Sequence, residues 1–253
     1  MARTNRLAIG SASRGVTVSA LVLLLAGGAA VGVAAASQEH APQPTAQVAG
    51  TTGPAYAGGH GTGQGGGASR DTARSAASAT RRAPKVVGPT LPVSRPVSID
   101  IPAIQVASNL QDLGVTPTGA IQVPQPGPAY NEAAWFDASP TPGQVGPSVI
   151  EGHIDSAATG PSVFFDLGAL EPGDTVNVTL ADGIVAVFTV TGVREYLKSS
   201  FPTTAVYGNT DFAALRLITC GGTFDYTTGH YLSNTVVYAS LTSSHPVTGN
   251  GSP

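Results

Sequence analysis

The sequence contains a single cysteine, Cys220, in the segment Leu215-Arg-Leu-Ile-Thr-Cys-Gly-Gly. An apolar run precedes it and two glycines follow, which predicts a thiol at the end of a rigid strand beside an open loop. Such a thiol could be a nucleophile, because thiolates attack acyl groups readily. The alternative is a buried structural cysteine, since free Cys is among the most buried residue types. One cysteine also excludes an internal disulfide and cysteine-rich zinc modules.

A thiol nucleophile needs a base or a cation beside it, because little of it is ionised at neutral pH. The best candidate base is His153, in Glu151-Gly-His-Ile-Asp at the end of a predicted strand. Alternate residues of a strand share a face, so Glu151 or Asp155 could orient the imidazole. Asp155 could equally cap the next turn. His230, in a polar turn ten residues after Cys220, is the competing base.

Acyl transfer also needs a group that stabilises the developing oxyanion. Arg216 lies four residues before Cys220, and the period of two places both side chains on one strand face with Ile218. The alternative for Arg216 is a surface ion pair. Arg194 is the reserve, and Lys198, in a Lys-Ser-Ser turn, is predicted to be solvated.

Metal chemistry has little support in the sequence. Gly-His-Ile-Asp with a distant histidine is too sparse for a zinc site, and no His-x-x-x-His occurs. We therefore expect neither a metal nor another cofactor.

Charge divides the chain into two parts. Residues 1–96 carry nine Lys or Arg and two acidic residues, whereas residues 97–253 carry three and thirteen. The net charge of −3 excludes a globally basic nucleic-acid binder. We expect no nucleic-acid partner.

The N-terminal part, residues 1–36, is predicted to be a membrane anchor or a signal peptide. Arg3, Arg6 and Arg14 precede an uncharged apolar run of 22 residues, 15–36, which is long enough to span a bilayer with its N-terminus in the cytoplasm. The small residues Ala34-Ala-Ala could instead form a cleavage site. Both interpretations place the rest of the chain outside the cytoplasm, at the outer face of the membrane or secreted.

Residues 37–96 are mostly Gly, Ala, Ser, Thr, Pro and Gln. This composition buries too little apolar surface to offset chain entropy, so we predict a disordered linker. Its arginines could contact anionic polymers or headgroups, or could simply be solvated. Residues 243–253 are predicted to be a flexible C-terminal tail.

The pattern from Val97 onwards is typical of an all-β domain. The predicted strands cover residues 97–101, 119–124, 148–152, 174–180, 184–193, 212–220 and 234–241. Asp182-Gly183 between two of them is a strong hairpin signal. Residues 160–170 could form a short surface helix. Many short strands separated by Gly and Pro turns predict a closed barrel or a sandwich.

The ordered motifs resemble those of the sortase family, and most closely its actinobacterial class F branch, with class E as the second choice. The motifs are Glu151-Gly-His-Ile-Asp, Gly173-Asp-Thr-Val, Phe201-Pro-Thr-Thr-Ala-Val-Tyr-Gly and the Cys220 segment. Asn234-Thr-Val-Val-Tyr-Ala resembles the strand that follows the nucleophile. The resemblance covers residues 97–241. It implies a closed eight-stranded sortase β-barrel with short helices, and we assign the catalytic domain to residues 97–242.

The resemblance also implies an activity. A sortase is a cysteine transpeptidase of the hydrolase class that cleaves an LPXTG-like signal between Thr and Gly and holds the substrate as a thioacyl-enzyme. Cys220 is then the nucleophile and His153 the acid and base. The implied partners are secreted proteins with a C-terminal sorting signal and an amine of a cell-wall precursor.

One position departs from the family pattern. Many sortases carry a catalytic arginine on the strand after the cysteine strand, but no Lys or Arg follows Arg216 here. We therefore assign the oxyanion role to Arg216, with Asn234 or a backbone N–H as neutral substitutes. Ile218, Thr219 and Asn234 are expected near the bound signal.

Two other functions fit parts of the pattern. A peptidoglycan-active cysteine enzyme, an L,D-transpeptidase or a hydrolase, is one, although the former would favour a Ser-His-Gly-Cys motif. An exported β-domain that binds wall or host ligands, with Cys220 buried, is the other. Water in place of the amine would make the same fold a hydrolase.

Overall fold

The computed structural model describes residues 40–44 and 85–248. The chain divides into two units, residues 1–40 and 41–253. The predicted anchor, residues 1–36, lies outside the described residues, as do residues 37–39 and 45–84 of the predicted linker and the last five residues of the predicted tail. Among the described residues, none of the helices is both long and apolar enough to cross a membrane.

Eight strands close into a barrel in the order β1-β2-β3-β4-β9-β10-β8-β7, which confirms the predicted closed eight-stranded β-barrel. Strands β5 and β6 form a separate two-stranded ribbon. The strands are β1 Pro96–Ile101, β2 Val106–Leu113, β3 Ala133–Phe136, β4 Gly146–Glu151, β5 Asp155–Ser156, β6 Gly160–Pro161, β7 Thr175–Leu180, β8 Ile184–Leu197, β9 Ala213–Asp225 and β10 His230–Pro246.

The helices of the described part are short. They are the α-helix α1, Thr203–Tyr207, and three 3-10 turns, Pro102–Ile104, Phe165–Ala169 and Lys198–Ser200. Residues 160–170, expected to form a short surface helix, contain a single 3-10 turn whose apolar side chains are buried. Phe164, Leu167 and Leu170 belong to the main core and are nearly inaccessible to solvent, because this turn packs against the barrel with its apolar side.

The period of two along β9 separates two apolar layers. Leu215 and Leu217 point into the main core of the barrel. Arg216 and Ile218 point to the opposite, outer face, where Ile218 joins a second apolar cluster. That cluster also contains Val149, Val206 and Val236, so α1 covers the outer face of β4, β9 and β10.

Sequence patterns failed where strands are short or polar. No strand covers residues 119–124, where the described chain makes only a bridge from Ile121 to Val115. β2 and β3 were not predicted, because β2 alternates only weakly and β3 spans four residues. β9 and β10 extend well beyond their predicted ends, and β10 continues to Pro246, into the predicted tail.

Two stretches of the predicted linker lie against the barrel. Val87 N donates to Asp211 O and Leu91 N to Gly143 O, each at 2.8 Å. The Leu91 side chain packs on the main core. Farther upstream, the Pro42 carbonyl lies so close to Gly168 that a Cβ there would approach it to 2.1 Å.

Candidate functional site

Strand β9 positions Cys220 at the outer face of the barrel, where the thiol is partly exposed. The strand continues through two glycines whose neighbours leave no room for a side chain. A Cβ on Gly221 would lie 2.5 Å from Thr235 Oγ1, and one on Gly222 2.7 Å from Glu195 Oε1. Gly222 also has a φ of +71°, which L side chains rarely adopt. The glycines therefore allow β9 to turn closely past β8 and β10 directly after the thiol.

Strand β4 brings His153 to the same place. β4 runs parallel to β9 with Glu151 opposite Ile218, and Gly152 N donates to Ile218 O at 3.2 Å. Continuing this register by two residues puts His153 beside Cys220 on the outer face. A Cβ on Gly152 would lie 2.7 Å from Phe164 and Val163, so glycine is needed for this approach.

The imidazole of His153 is held on two sides. Its Nε2 lies 2.8 Å from Pro124 O, and the ring stacks on Tyr130 with centroids 4.2 Å apart and planes at 11°. A carbonyl oxygen can only accept, so Nε2 carries the hydrogen of this bond. In the neutral ring Nδ1 is then the nitrogen that can take a proton.

Two tyrosines contact His153 or its neighbour Asp155. Tyr130 donates to Asp155 O at 3.4 Å, and the Tyr231 hydroxyl donates to Asp155 Oδ2. Burial, Asp155 and then Cys220 raise the pKa of Tyr130. Burial, the hydrogen bond to Asp155 and the charges of Asp155 and Cys220 raise the pKa of Tyr231. Both phenols therefore stay neutral.

The two carboxylates considered as partners of His153 make other contacts. Asp155 accepts from Tyr231. Glu151 is partly buried near Tyr207, and burial raises the pKa of Glu151 to about 7. His153 Nε2 binds a backbone carbonyl instead of a carboxylate.

Arg216 lies within the outer apolar cluster and is 5% exposed. Its Nε donates to Val206 O at 3.2 Å and its Nη1 to Leu215 O at 3.0 Å. The guanidinium carbon lies 4.5 Å from the centre of the Tyr238 ring. Four residues of strand separate the Cα atoms of Arg216 and Cys220 by about 13 Å. These contacts favour a structural role beneath α1 over contact with an oxyanion.

The two other cations considered are placed differently from each other. Arg194 lies on β8 and pairs with Val236 on β10, so β10 separates Arg194 from β9. Lys198, in contrast, donates to Cys220 Sγ with its Nζ at 3.3 Å. The prediction that Lys198 is solvated describes its exposure correctly but misses this contact.

The three residues expected near the substrate lie on different faces. Asn234 pairs directly with Cys220 across β9 and β10 and is partly exposed. Ile218 lies in the outer apolar cluster. Thr219 is 4% exposed, pairs with the equally buried Thr235, and alternates to the face opposite Cys220. The competing base, His230, is exposed and begins β10.

Sequence reasoning missed Lys198, Tyr130, Tyr231 and Pro124. Lys198 directly follows β8, which was predicted to end at residue 193. The register of residues 194–197 with β10, which places Lys198 near Cys220, could therefore not be predicted. Tyr130 and Pro124 lie in the long connection between β2 and β3. Pro124 ends the predicted strand at residues 119–124, which does not form, and Tyr130 precedes β3, which was not predicted.

Comparisons with known proteins agree with this architecture. A family model described as Sortase domain matches residues 99–242. No curated protein matches the chain.

Solved structures give three examples of similarity. A lid mutant of sortase A from Corynebacterium diphtheriae is 20% identical, with a TM-score of 0.45, over 63% of this chain and 75% of that one. The SrtA sortase from Actinomyces oris is 18% identical, with a TM-score of 0.45, over 68% and 93%. Sortase E1 from Streptomyces coelicolor, with a tripeptide in its active site, is 16% identical, with a TM-score of 0.46, over 65% and 97%.

The matched domain spans more than half of the chain and contains every residue of the site from Tyr130 to Asn234. The chain belongs to the sortase family of cysteine transpeptidases.

Proposed function

We propose that this chain is a class F sortase that cleaves an LPXTG-like signal between Thr and Gly. The enzyme then transfers the cleaved substrate protein to an amine of a cell-wall precursor. One observation carries the proposal. The partly exposed thiol of Cys220 lies on the outer face of β9, and the chain that continues the parallel β4 places His153 at the matching position. A nucleophile and a base on adjacent strands are what acyl transfer requires.

The reaction follows from the two groups. The Cys220 thiolate attacks the Thr carbonyl carbon, so a C–S bond forms and the carbonyl π electrons move to oxygen. When this intermediate collapses, the C–N bond breaks and His153 gives a proton to the leaving amine. The result is a thioacyl-enzyme. The incoming amine loses its proton to His153 as it attacks, and the C–S bond breaks to restore Cys220.

His153 Nδ1 is the nitrogen proposed to move the proton, because Nε2 is bound to Pro124 O. The Tyr130 stack fixes the plane of the ring. Orienting the base in this way removes part of the entropic cost of proton transfer.

The class assignment rests on the motifs around His153, Gly173, Phe201 and Cys220, and class E remains the second choice. The proposed setting is the outer face of the cell membrane, with the apolar segment 15–36 as anchor or as cleaved signal. Substrates are secreted proteins with a C-terminal sorting signal. This setting is proposed from the sequence of residues 1–36.

The test uses the purified full chain with LPXTG-type peptides, with and without an amine acceptor. Mass spectrometry is expected to show a thioacyl adduct on Cys220 that passes to the amine, and Cys220→Ala is expected to lack both. An adduct that resolves only to acid, with amine present, would indicate a hydrolase. An inert thiol and no adduct with several signal variants would favour the binding-module alternative.

A further inference from the structure

The Cys220 thiol has a cationic neighbour that comes from the turn directly after β8. Lys198 Nζ lies 3.3 Å from Cys220 Sγ and donates to it. Lys198 is one of only two lysines in the chain, the other being Lys85. A hydrogen bond from an ammonium to sulfur is charge-assisted, and a cation beside a cysteine is a typical setting of a nucleophilic thiol.

The position of Lys198 follows from the register of three strands. Cys220 on β9 pairs with Asn234 on β10, and Asn234 pairs with Tyr196 on β8. β8 ends one residue later, at Leu197, and a 3-10 turn begins at Lys198. The chain therefore leaves the sheet beside the thiol, and the lysine side chain needs only to reach back over Asn234.

Arg216 is not arranged to supply this charge. Its Nε and Nη1 donate to the carbonyls of Val206 and Leu215, and its guanidinium lies over Tyr238. Moving it to the thiol would leave two buried carbonyls without these donors, at a cost in stability. Lys198 is exposed and reaches the sulfur directly.

We propose that Lys198 is the cationic catalytic residue of this site, whose ammonium stabilises the Cys220 thiolate and then the oxyanion that forms on the attacked carbonyl. The first role concerns the free enzyme. The second rests on the proposed sortase function.

The same Lys198 ammonium can stabilise first the thiolate and then the oxyanion. The thiol proton passes to His153, which later gives it to the leaving amine, and the ammonium keeps its three hydrogens throughout. After attack, the carbonyl oxygen is bonded to the carbon that has just bonded to sulfur, so it lies within reach of the same ammonium. A bound peptide displaces water, which strengthens the charge interaction relative to the open site.

Thiol alkylation tests the first role without any peptide substrate. We compare the rates for neutral iodoacetamide and anionic iodoacetate at one fixed pH on the full chain and on Lys198→Met. Iodoacetamide should react about two- to fivefold more slowly with Lys198→Met, the range for an exposed charge pair. The iodoacetate-to-iodoacetamide ratio should also fall, because the local positive charge attracts the anion. This ratio is independent of how much thiolate is present.

Lys85→Met is the matched control, since Lys85 is also exposed and lies in the N-terminal stretch ahead of β1. It should leave both rates and their ratio unchanged. Lys198→Arg retains the charge and should restore most of the ratio. An unchanged ratio in Lys198→Met would overturn the proposal.

Peptide cleavage tests the second role. Turnover of Lys198→Met should fall about 10²-fold, as for loss of one oxyanion donor, while Lys85→Met stays at wild-type turnover. If the wild-type chain forms no thioacyl adduct, the proposed function fails and the alkylation ratio still decides the thiolate role. If the wild-type chain forms the adduct and Lys198→Met turns over normally, the oxyanion role fails and the proposed function stands.

Discussion

The site at Cys220 combines an ammonium from the turn after β8, an imidazole that follows β4 and a pair of phenols. The imidazole of His153 has one nitrogen occupied by Pro124 O and one face covered by Tyr130. The remaining nitrogen is therefore the only one open for proton transfer within this described site. Its orientation depends on Tyr130 more than on either neighbouring carboxylate.

Replacing Tyr130 tests this dependence. Tyr130→Ala should lower turnover about three- to tenfold, which matches about 0.5–1.5 kcal/mol for an aromatic stack. Tyr130→Phe keeps the stack and loses only the hydroxyl contact with Asp155 O, so it should keep most of the turnover. The measurement is kcat/KM for peptide cleavage. Equal losses in the two variants would show that the hydroxyl, and not the stack, matters.

Replacing Arg216 separates a structural role from a catalytic one. Arg216→Ala should lower the free energy of unfolding by about 3 kcal/mol, because it leaves a cavity and removes the hydrogen bonds that the guanidinium donates to the carbonyls of Val206 and Leu215. Denaturant unfolding measures this loss. Arg95→Ala is the control, since Arg95 is 53% exposed in an ion pair with Asp112 and such pairs contribute less than about 1 kcal/mol.

The outcome that contradicts this assignment is specific. If Arg216→Ala keeps its stability and its thiol alkylation rate but loses peptide turnover, Arg216 acts on the oxyanion, as the sequence alone suggested.

At the scale of elements, the crossing of β8, β9 and β10 beyond Cys220 depends on Gly222. Gly222→Ala should destabilise the protein by about 1–2 kcal/mol through its left-handed backbone alone, with a further loss from the 2.7 Å approach to Glu195 Oε1. Gly229→Ala shares the φ of +71° but its Cβ would meet nothing within 4 Å, so it isolates the backbone contribution.

Unfolding free energies of these two glycine variants give the comparison. Gly222→Ala should lose more stability than Gly229→Ala, and its Cys220 alkylation rate should change as well. Equal losses would mean that the close approach of β8 and β10 is accommodated without cost.

The end of β4 carries the carboxyl of Glu151, whose pKa burial raises to about 7. A raised carboxyl pKa means that the folded state holds the proton more tightly than the unfolded state. The contribution of Glu151 to the free energy of unfolding is therefore greatest below the unfolded pKa of 4.5, and it is lost as the pH rises towards 7. Glu151→Gln should be more stable than the wild type by about 1–2 kcal/mol at pH 8 and nearly equal to it at pH 4.

Melting temperatures at pH 4, 6 and 8 measure this effect. Glu171→Gln, at an exposed carboxyl ahead of β7, should show no such pH dependence. A constant difference between Glu151→Gln and wild type across the range would contradict burial as the cause of the shift.

How far the sequence predicts the fold depends on the element. The Asp182-Gly183 hairpin and the alternating β7 carried their own signal, and β7 to β8 pair as expected. β2 and β3 carried little, because their pairing is decided by neighbours distant in sequence. Cys220 and His153 could be selected by residue type, but Lys198 required the β8–β10 register, which depends on where a 14-residue strand ends.

At the scale of the whole molecule, the barrel closes around one core and places the site on its outside. The residues of the site come from β9 and β10, from the segments directly after β4 and β8, and from the connection before β3. Only the closed topology brings β4 and β9 together as parallel neighbours, since their first paired positions, Gly146 and Ala213, are 67 residues apart in the sequence. The thiol–imidazole pair is therefore a product of closure and not of a local motif.

The packed domain also includes chain that precedes the first strand. Leu91 packs on the main core, its N–H donates to Gly143 O, and Gln144 Nε2 donates to Leu91 O. A Cβ on Gly143 would lie 2.7 Å from the Leu91 Cβ, so the two segments fit closely. Residues 85–95 should therefore contribute to stability although their composition resembles a linker.

Truncation tests this contribution. A chain that begins at residue 85 should unfold with the same free energy as one that begins at residue 45, whereas a chain that begins at residue 97 should lose about 2–3 kcal/mol. That loss is the sum expected for the partly buried Leu91 side chain and its backbone hydrogen bonds. Leu91→Ala in the full chain should reproduce most of it, while Val93→Ala, at a 75% exposed side chain, should not. Equal stability of the chains that begin at 85 and 97 would restrict the folded domain to the strands, and the close fit of Leu91 to Gly143 would then contribute nothing to the stability of the barrel.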